Sequence, residues 1–363
     1  METFTHFTTD SFDGTYWLGR MKKTTVTIKD VANHAGVSQA TASRALSGGG
    51  YASHETKRRV EEAAKELGYK PSGPARSLKL QRTDTIGLMI TDVVNPFYAY
   101  LASGVLEKAN DLGFHVILCA TDEEPEMERE YLEVLMEKRV DGIVAVSTGQ
   151  NLDLWQEAID LGTEVVLVDR EMEEKLDVNV VLVDNVKGAY DAVSYLLKLG
   201  HRRIGIINGP LTTTTGFDRL QGYKQAFAQY GVPLDEALIE NVSFKGESGT
   251  DMADRLLDLP DPPTAIFVAN NVLGEAMLFV LRERGLRVPD DISLVVFDDV
   301  PWVSLVSPAL TAVSQPTREL GIASMELLAQ SLEAHTSVEN SLYRKIIYKP
   351  NLILRDSCRP LTE

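Results

Sequence analysis

The chain has 363 residues, is 44% apolar and 25% charged, and carries a formal charge of −17. This is the composition of an ordinary globular protein. It excludes low-complexity and fibrous chains, and no apolar run is long enough to span a bilayer. Two cysteines, Cys119 and Cys358, make no disulfide framework, which fits a reducing cytoplasm.

Residues 1–25 begin METFTHFTTDSFDGTYWLGR, which has no hydrophobic period and no basic region ahead of an apolar one. They are read as an extension without order, not as a secretory signal, and Met21 is an alternative start. From residue 21 to residue 80 there are 11 Lys and Arg against 5 Asp and Glu. A small basic head on a strongly acidic body is expected where one end meets phosphate and the rest does not.

Residues 26–46, VTIKDVANHAGVSQATASRAL, read as two short helices joined by a tight turn. The first runs from Ile28 to Ala35 with Val31, Ala32 and Ala35 facing inward. Gly36 enters the left-handed region without steric cost, Val37 fills the space between the helices, and Ser38 caps a second helix from Gln39 to Leu46. That is the pattern of a helix-turn-helix. Its second helix offers Gln39, Ala40, Thr41, Ser43 and Arg44 to a major groove. A third helix is capped by Ser53, turns Val60, Ala63, Ala64 and Leu67 to one side, and stops at Gly68. The head is therefore 26–70. Residues 71–84, rich in Pro and polar side chains, read as a linker with one short helix over ARSLKL.

Beyond Asp84 strand and helix alternate. Apolar runs fall at 86–90, 115–119, 142–146, 164–168, 179–183, 203–207, 264–268 and 292–297, with amphipathic stretches such as 99–112, 126–138, 187–199, 217–230 and 272–285 between them. Such strands belong to parallel sheets covered on both faces. About ten strands exceed one small sheet. The fold class is an all-α helix-turn-helix head joined to an α/β core of two Rossmann-like subdomains.

Ligands of open parallel sheets sit at the carboxyl ends of strands. Asn95, Phe97 and Tyr98 follow the first run, and Asp169 and Arg170 follow EVVLV. Asn270, Asp298 and Gln315 close three later strands, and Arg219 begins a helix after LTTTTGFD. Planar polar groups bond to vicinal hydroxyls, and aromatic rings cover the apolar face of a sugar. The set predicts a pocket for a polyhydroxylated ligand. No GxGxxG follows the first strand of either half, and GxSxG, the P-loop, HExxH and clustered Cys and His are all missing from the sequence. The chain is therefore expected to be no enzyme and to need no cofactor and no metal.

The segments TIKDVANHAGVSQATASRALSG, SHETKRRVEEAAKELGYKP and ARSL resemble the head of the LacI–GalR family of bacterial transcription regulators. DTIGLMITDVVNPFY, VDGIVAVS, VVLVDR, VLVDNVKGAYDAVSYLLKLGHRRIGIINGP, DRLQGYKQAF, PTAIFVANN, RVPDDISLVVFDD and LTAVSQP follow that family's signatures in order, so the resemblance covers residues 26 to about 357. It implies a homodimer on a pseudo-palindromic operator and a periplasmic-binding-protein-like core, 85–357. The first subdomain would take about 85–182 and 316–342, the second about 183–315 and 343–357.

The resemblance also implies roles for individual residues. Thr27, Ser38, Gln39, Ala40, Thr41, Ser43 and Arg44 would contact DNA. Leu78 would wedge into the minor groove from a hinge helix holding Ala75 and Arg76. Gly73 and Pro74 stand where better helix formers are usual, which makes that helix costlier to order. Asn95, Phe97, Tyr98, Asp169, Arg170, Arg219, Asn270, Asp298 and Gln315 would hold the effector. Asn271 replaces an Asp common in relatives. No leucine heptad follows Pro350, so a tetramer-forming tail is not expected. The implied function is a cytoplasmic, ligand-responsive regulator with no membrane partner, a repressor of sugar uptake or catabolism genes with a monosaccharide effector. A purine, a nucleoside or a phosphorylated carrier protein is the alternative effector. A transport-type sugar-binding protein would share the core but would need a signal peptide and have no use for residues 26–46.

Overall fold

A computed structural model describes residues 26–47, 52–69, 82–172, 176–244, 247–334 and 343–361. The chain forms two compact units, one ending at Gln81 and one beginning at Arg82.

The first unit contains α1 (Ile28–Ala35), α2 (Gln39–Ser47) and α3 (His54–Leu67). α1 opens on Thr27, whose backbone N–H donates to Asp30 Oδ2 at 2.8 Å while its hydroxyl donates to the same oxygen at 2.7 Å. It ends at Gly36, φ +61°, where a side chain would be strained. The Val37 N–H returns to the Ala32 carbonyl at 3.0 Å, and the Arg59 guanidinium donates to the Ala35 carbonyl. Val31, Ala32, Ala35, Ala42, Ala45, Val60, Ala63 and Ala64 form the core. Six alanines at the inner positions of the helices let the backbones approach closely. Ser53 accepts from the Thr56 N–H at 3.2 Å and starts α3.

The second unit begins with β1 (Thr85–Ile90), α4 (Pro96–Asp111), β2 (His115–Ala120), α5 (Pro125–Lys138), β3 (Gly142–Ala145), α6 (Leu152–Asp160), β4 (Glu164–Val168) and β5 (Asn179–Val183). It continues through α7 (Asn185–Lys198), β6 (Ile204–Asn208), α8 (Thr214–Tyr230), β7 (Ile239–Asn241), α9 (Glu247–Leu257), β8 (Ala265–Val268), α10 (Asn271–Glu283), β9 (Ser293–Phe297) and α11 (Pro301–Leu305). It ends with β10 (Thr311–Ser314), α12 (Thr317–Ala334), β11 (Lys345–Tyr348) and β12 (Asn351–Ile353). Two six-stranded sheets result, in the orders β11-β5-β4-β3-β1-β2 and β12-β10-β9-β8-β6-β7. Neighbours run parallel except β12, which is antiparallel to β10.

The chain passes between the halves at Asp184, at Gln315–Pro316 and between Tyr348 and Asn351. The last passage corrects the expectation that 343–357 belong wholly to the second half. β11 lies parallel to β5, with Tyr348 opposite Val183, and Ile346 packs on the first half's core. KIIY alternates exposed and half-buried residues at a sheet edge, so it carries no continuous apolar run to announce it. α4 and α12 cross at close range. A Cβ on Gly104 would come within 2.1 Å of the Arg318 carbonyl oxygen, and one on Gly321 within 2.1 Å of that of Leu101.

Candidate functional site

On α2 the side chains of Gln39, Ala40, Ser43 and Arg44 are exposed, Thr41 is half-buried, and Ala42 and Ala45 are buried. The Ser38 hydroxyl accepts from the Thr41 N–H at 3.1 Å and shares a 2.8 Å hydrogen bond with the Thr41 hydroxyl. Ser38 and Thr41 therefore hold the helix start, and the free face is carried by Gln39, Ala40, Ser43 and Arg44. Thr27 is exposed at the start of α1. Ala75, Arg76 and Leu78 lie outside the described residues.

In the second unit the strand ends converge on one cleft lined by Asn95, Phe97, Tyr98, Asp169, Arg170, Thr215, Arg219, Phe244, Asn270 and Asp298, with about 260 Å³ of space that is partly open to solvent. Asp169 ends β4 and Asp298 ends β9, strands of equal rank in the two sheets. Both are in the left-handed region, φ +67° and +77°, which is uncommon away from glycine and marks a held position. The Asp169 N–H donates to the Val181 carbonyl at 3.0 Å and the Asp298 N–H to that of Val313 at 2.9 Å. The matching bonds turn each carboxylate off its strand end into the cleft.

Arg170 donates through both terminal nitrogens to Glu123, at 2.6 and 2.8 Å, and to the Tyr98 hydroxyl at 3.2 Å. Its Nε lies 3.6 Å from Asp169 Oδ2. Arg219 donates Nε to Asn185 Oδ1 at 2.8 Å and Nη1 to the Ala269 carbonyl at 2.5 Å, with its guanidinium carbon 3.8 Å over the Phe297 ring. Burial, reinforced by Asp298 and Glu123, pushes the Asp169 carboxyl up to about 6 even though Arg170 and Arg219 pull it down. Burial also raises the Tyr98 phenol well above its ordinary range.

Asn95 caps α4, accepting from the Phe97 N–H at 3.0 Å, and its Oδ1 also accepts from Asn271 Nδ2 of the opposite half at 3.0 Å. Asn271 bonds Asp298 Oδ2 as well, at 3.3 Å. Phe97 and Tyr98 meet edge to face, ring centres 5.0 Å apart. Asn270 is chiefly a cap, accepting from the Leu273 N–H at 2.8 Å. Gln315 does not line the cleft but donates to Asp298 Oδ1 at 2.6 Å, so it orients that carboxylate from behind.

Sequence reasoning misses Glu123, Thr215 and Phe244. Glu123 is one acid in an acidic run, TDEEPE, and Phe244 sits in a loop with no periodic signal. Asn271 is noticed only as a departure from the family pattern; the structure shows it joining the two halves.

Residues 27–72 match a profile described as bacterial regulatory proteins, lacI family. Residues 83–349 match periplasmic binding proteins and the sugar binding domain of the LacI family. The HTH-type transcriptional regulator DegA of Bacillus subtilis is 37% identical over 92% of this chain and 98% of its own. A solved complex of the transcriptional regulator CelR with cellobiose is similar at 32% identity and TM-score 0.70, covering 92% of this chain and 99% of that one. The Lac repressor dimer bound to operator and an anti-inducer is similar at 25% identity and TM-score 0.77, with the same coverages, 92% and 99%.

Proposed function

The chain belongs to the LacI family of bacterial regulatory proteins, and from that premise we propose that its cleft senses a small polyhydroxylated effector and couples it to operator binding. It is a DNA-binding transcriptional regulator and not an enzyme. The observation that carries the effector reading is the convergence of Asp169 and Asp298, one from each half, on a cleft walled by Phe97 and Phe244. Carboxylates accept from hydroxyls, and rings cover the apolar face of a sugar. A pentose or hexose suits this lining better than a purine, because the two carboxylates, one from each half, accept from vicinal hydroxyls, which a purine base lacks.

The Lac repressor structure is a dimer on operator DNA, and CelR is held with cellobiose. By that likeness the chain works as a homodimer on a pseudo-palindromic operator in the cytoplasm. It represses carbohydrate genes, reading the major groove with α2 and the minor groove with Leu78 beside Ala75 and Arg76. No helix among the described residues is long and apolar enough to cross a membrane. Effector and operator each favour one cleft geometry, so each changes the affinity of the other by the same factor.

Isothermal titration against pentoses, hexoses and purines, on wild type and Asp298→Ala, tests the reading. A sugar should bind wild type, and Asp298→Ala should lose that binding while keeping operator affinity. Equal binding to both forms places the pocket elsewhere, and binding of purines alone overturns the effector class.

A further inference from the structure

Each guanidinium in the cleft has two of its three nitrogens engaged by the protein itself. Arg170 presents the two-pronged fork that planar anions seek, but Glu123 fills it at 2.6 and 2.8 Å. Glu123 comes from the turn between β2 and α5, where Asp122 and Glu123 are consecutive residues with positive φ, +52° and +59°. Such a turn is held at a cost, and it carries the carboxylate to a guanidinium that is itself 3% exposed. Arg219 gives Nε to Asn185 and Nη1 to the Ala269 carbonyl and lies over the Phe297 ring.

What faces the ligand is suited to hydroxyls: the carboxylates of Asp169 and Asp298 line the cleft, while Arg170 Nε is buried 3.6 Å from Asp169 Oδ2 and makes no hydrogen bond. The charges of Arg170 and Arg219 are outnumbered by those of Glu123, Asp169 and Asp298, so an incoming anion meets an excess of its own sign.

Building on the polyol reading above, we infer that Glu123 is a specificity-determining residue. By occupying the fork of Arg170 it sets the cleft to take uncharged polyols and to reject sugar carboxylates and sugar phosphates. The barrier combines a fork that is already filled with the repulsion of the Glu123 carboxylate, and selectivity is a difference between two affinities.

The full-length protein is titrated at neutral pH with D-glucose, D-galactose and D-ribose, with D-glucuronate and D-galacturonate, and with hexose phosphates, on wild type and on E123Q. The neutral sugar that binds wild type should bind at least roughly 100-fold tighter than its uronate, about 3 kcal/mol. In E123Q that ratio should shrink at least about tenfold, through gain of uronate affinity more than loss of the neutral sugar. A general loosening of the site would weaken both ligands together and leave the ratio standing. A wild type that binds a uronate or phosphate as tightly as the neutral parent overturns the inference and spares the polyol reading. So does a folded E123Q with the wild-type ratio. If E123Q does not fold, Glu123→Asp, which draws the carboxylate back by one methylene, should narrow the ratio in the same direction, and an unchanged ratio there overturns the inference. Failure of every sugar to bind wild type overturns the polyol reading and this inference with it.

Discussion

Arg44 is exposed on α2 between the buried Ala42 and Ala45, so its truncation removes no packing. Arg44→Ala should weaken operator binding by about 1–3 kcal/mol if the guanidinium pairs with a guanine edge. Fluorescence anisotropy on an operator duplex checks this, with thermal stability unchanged, and wild-type affinity should fall steeply as salt is raised. In the cleft, Asp169 titrates near pH 6. A ligand hydroxyl donating to it favours the ionised form, so binding below that value must expel a proton. Effector affinity should therefore rise with pH up to about 6 and then level off. Asp169→Asn should flatten the profile, and a wild-type affinity independent of pH between 5 and 7 would show that the ligand does not touch this carboxylate. The strand-end residues are legible in sequence because a parallel strand delivers its next residue to the ligand edge of the sheet. Glu123 and Phe244 are not legible, since each reaches the cleft from a loop whose path depends on tertiary packing. Gln315 obeys the strand-end rule by position yet serves Asp298, because a side chain's direction is not encoded by its place in the chain.

The helices of the head and core follow from 3.6-residue periodicity and from caps that are visible as Ser53, Asn95 and Asn270. β7, β11 and β12 have no such signal, being three or four residues long and only partly buried. Their place is decided by the neighbour they join. Glycine contacts between helices are equally silent in sequence, and two of them decide how α4 meets α12. Gly104→Ala would drive a methyl against the Arg318 carbonyl, and overpacking of this kind costs about 1–3 kcal/mol. Chemical denaturation should show that loss. Gly36→Ala in the head should cost about 1 kcal/mol from its positive φ, and should reduce operator affinity without changing effector affinity.

The second half is fastened to the chain's end. His201, 1% exposed, donates from Nε2 to the Arg359 carbonyl at 3.1 Å and meets the Thr264 hydroxyl at 2.9 Å through Nδ1. Burial holds its imidazole below the ordinary 6.5, so the folded protein binds that proton less readily than the unfolded chain. The stability it contributes is complete above about pH 6.5 and is lost as pH falls through the depressed value. Urea unfolding between pH 5 and 8 should show this slope in wild type and a shallower one in His201→Asn. At the same scale, the two halves repeat one strand order, and Asp169 and Asp298 stand at matching points of that repeat. A ligand spanning them is chelated by two half-sites. One half alone offers a weak grip, and once it is engaged the other acts at the high effective concentration set by the three connecting passages. Affinity then behaves as a product, so damage to either carboxylate forfeits most of it. An effector held in this way would be selected by its span as well as its chemistry, since a molecule unable to touch both halves gains no avidity and cannot draw them together.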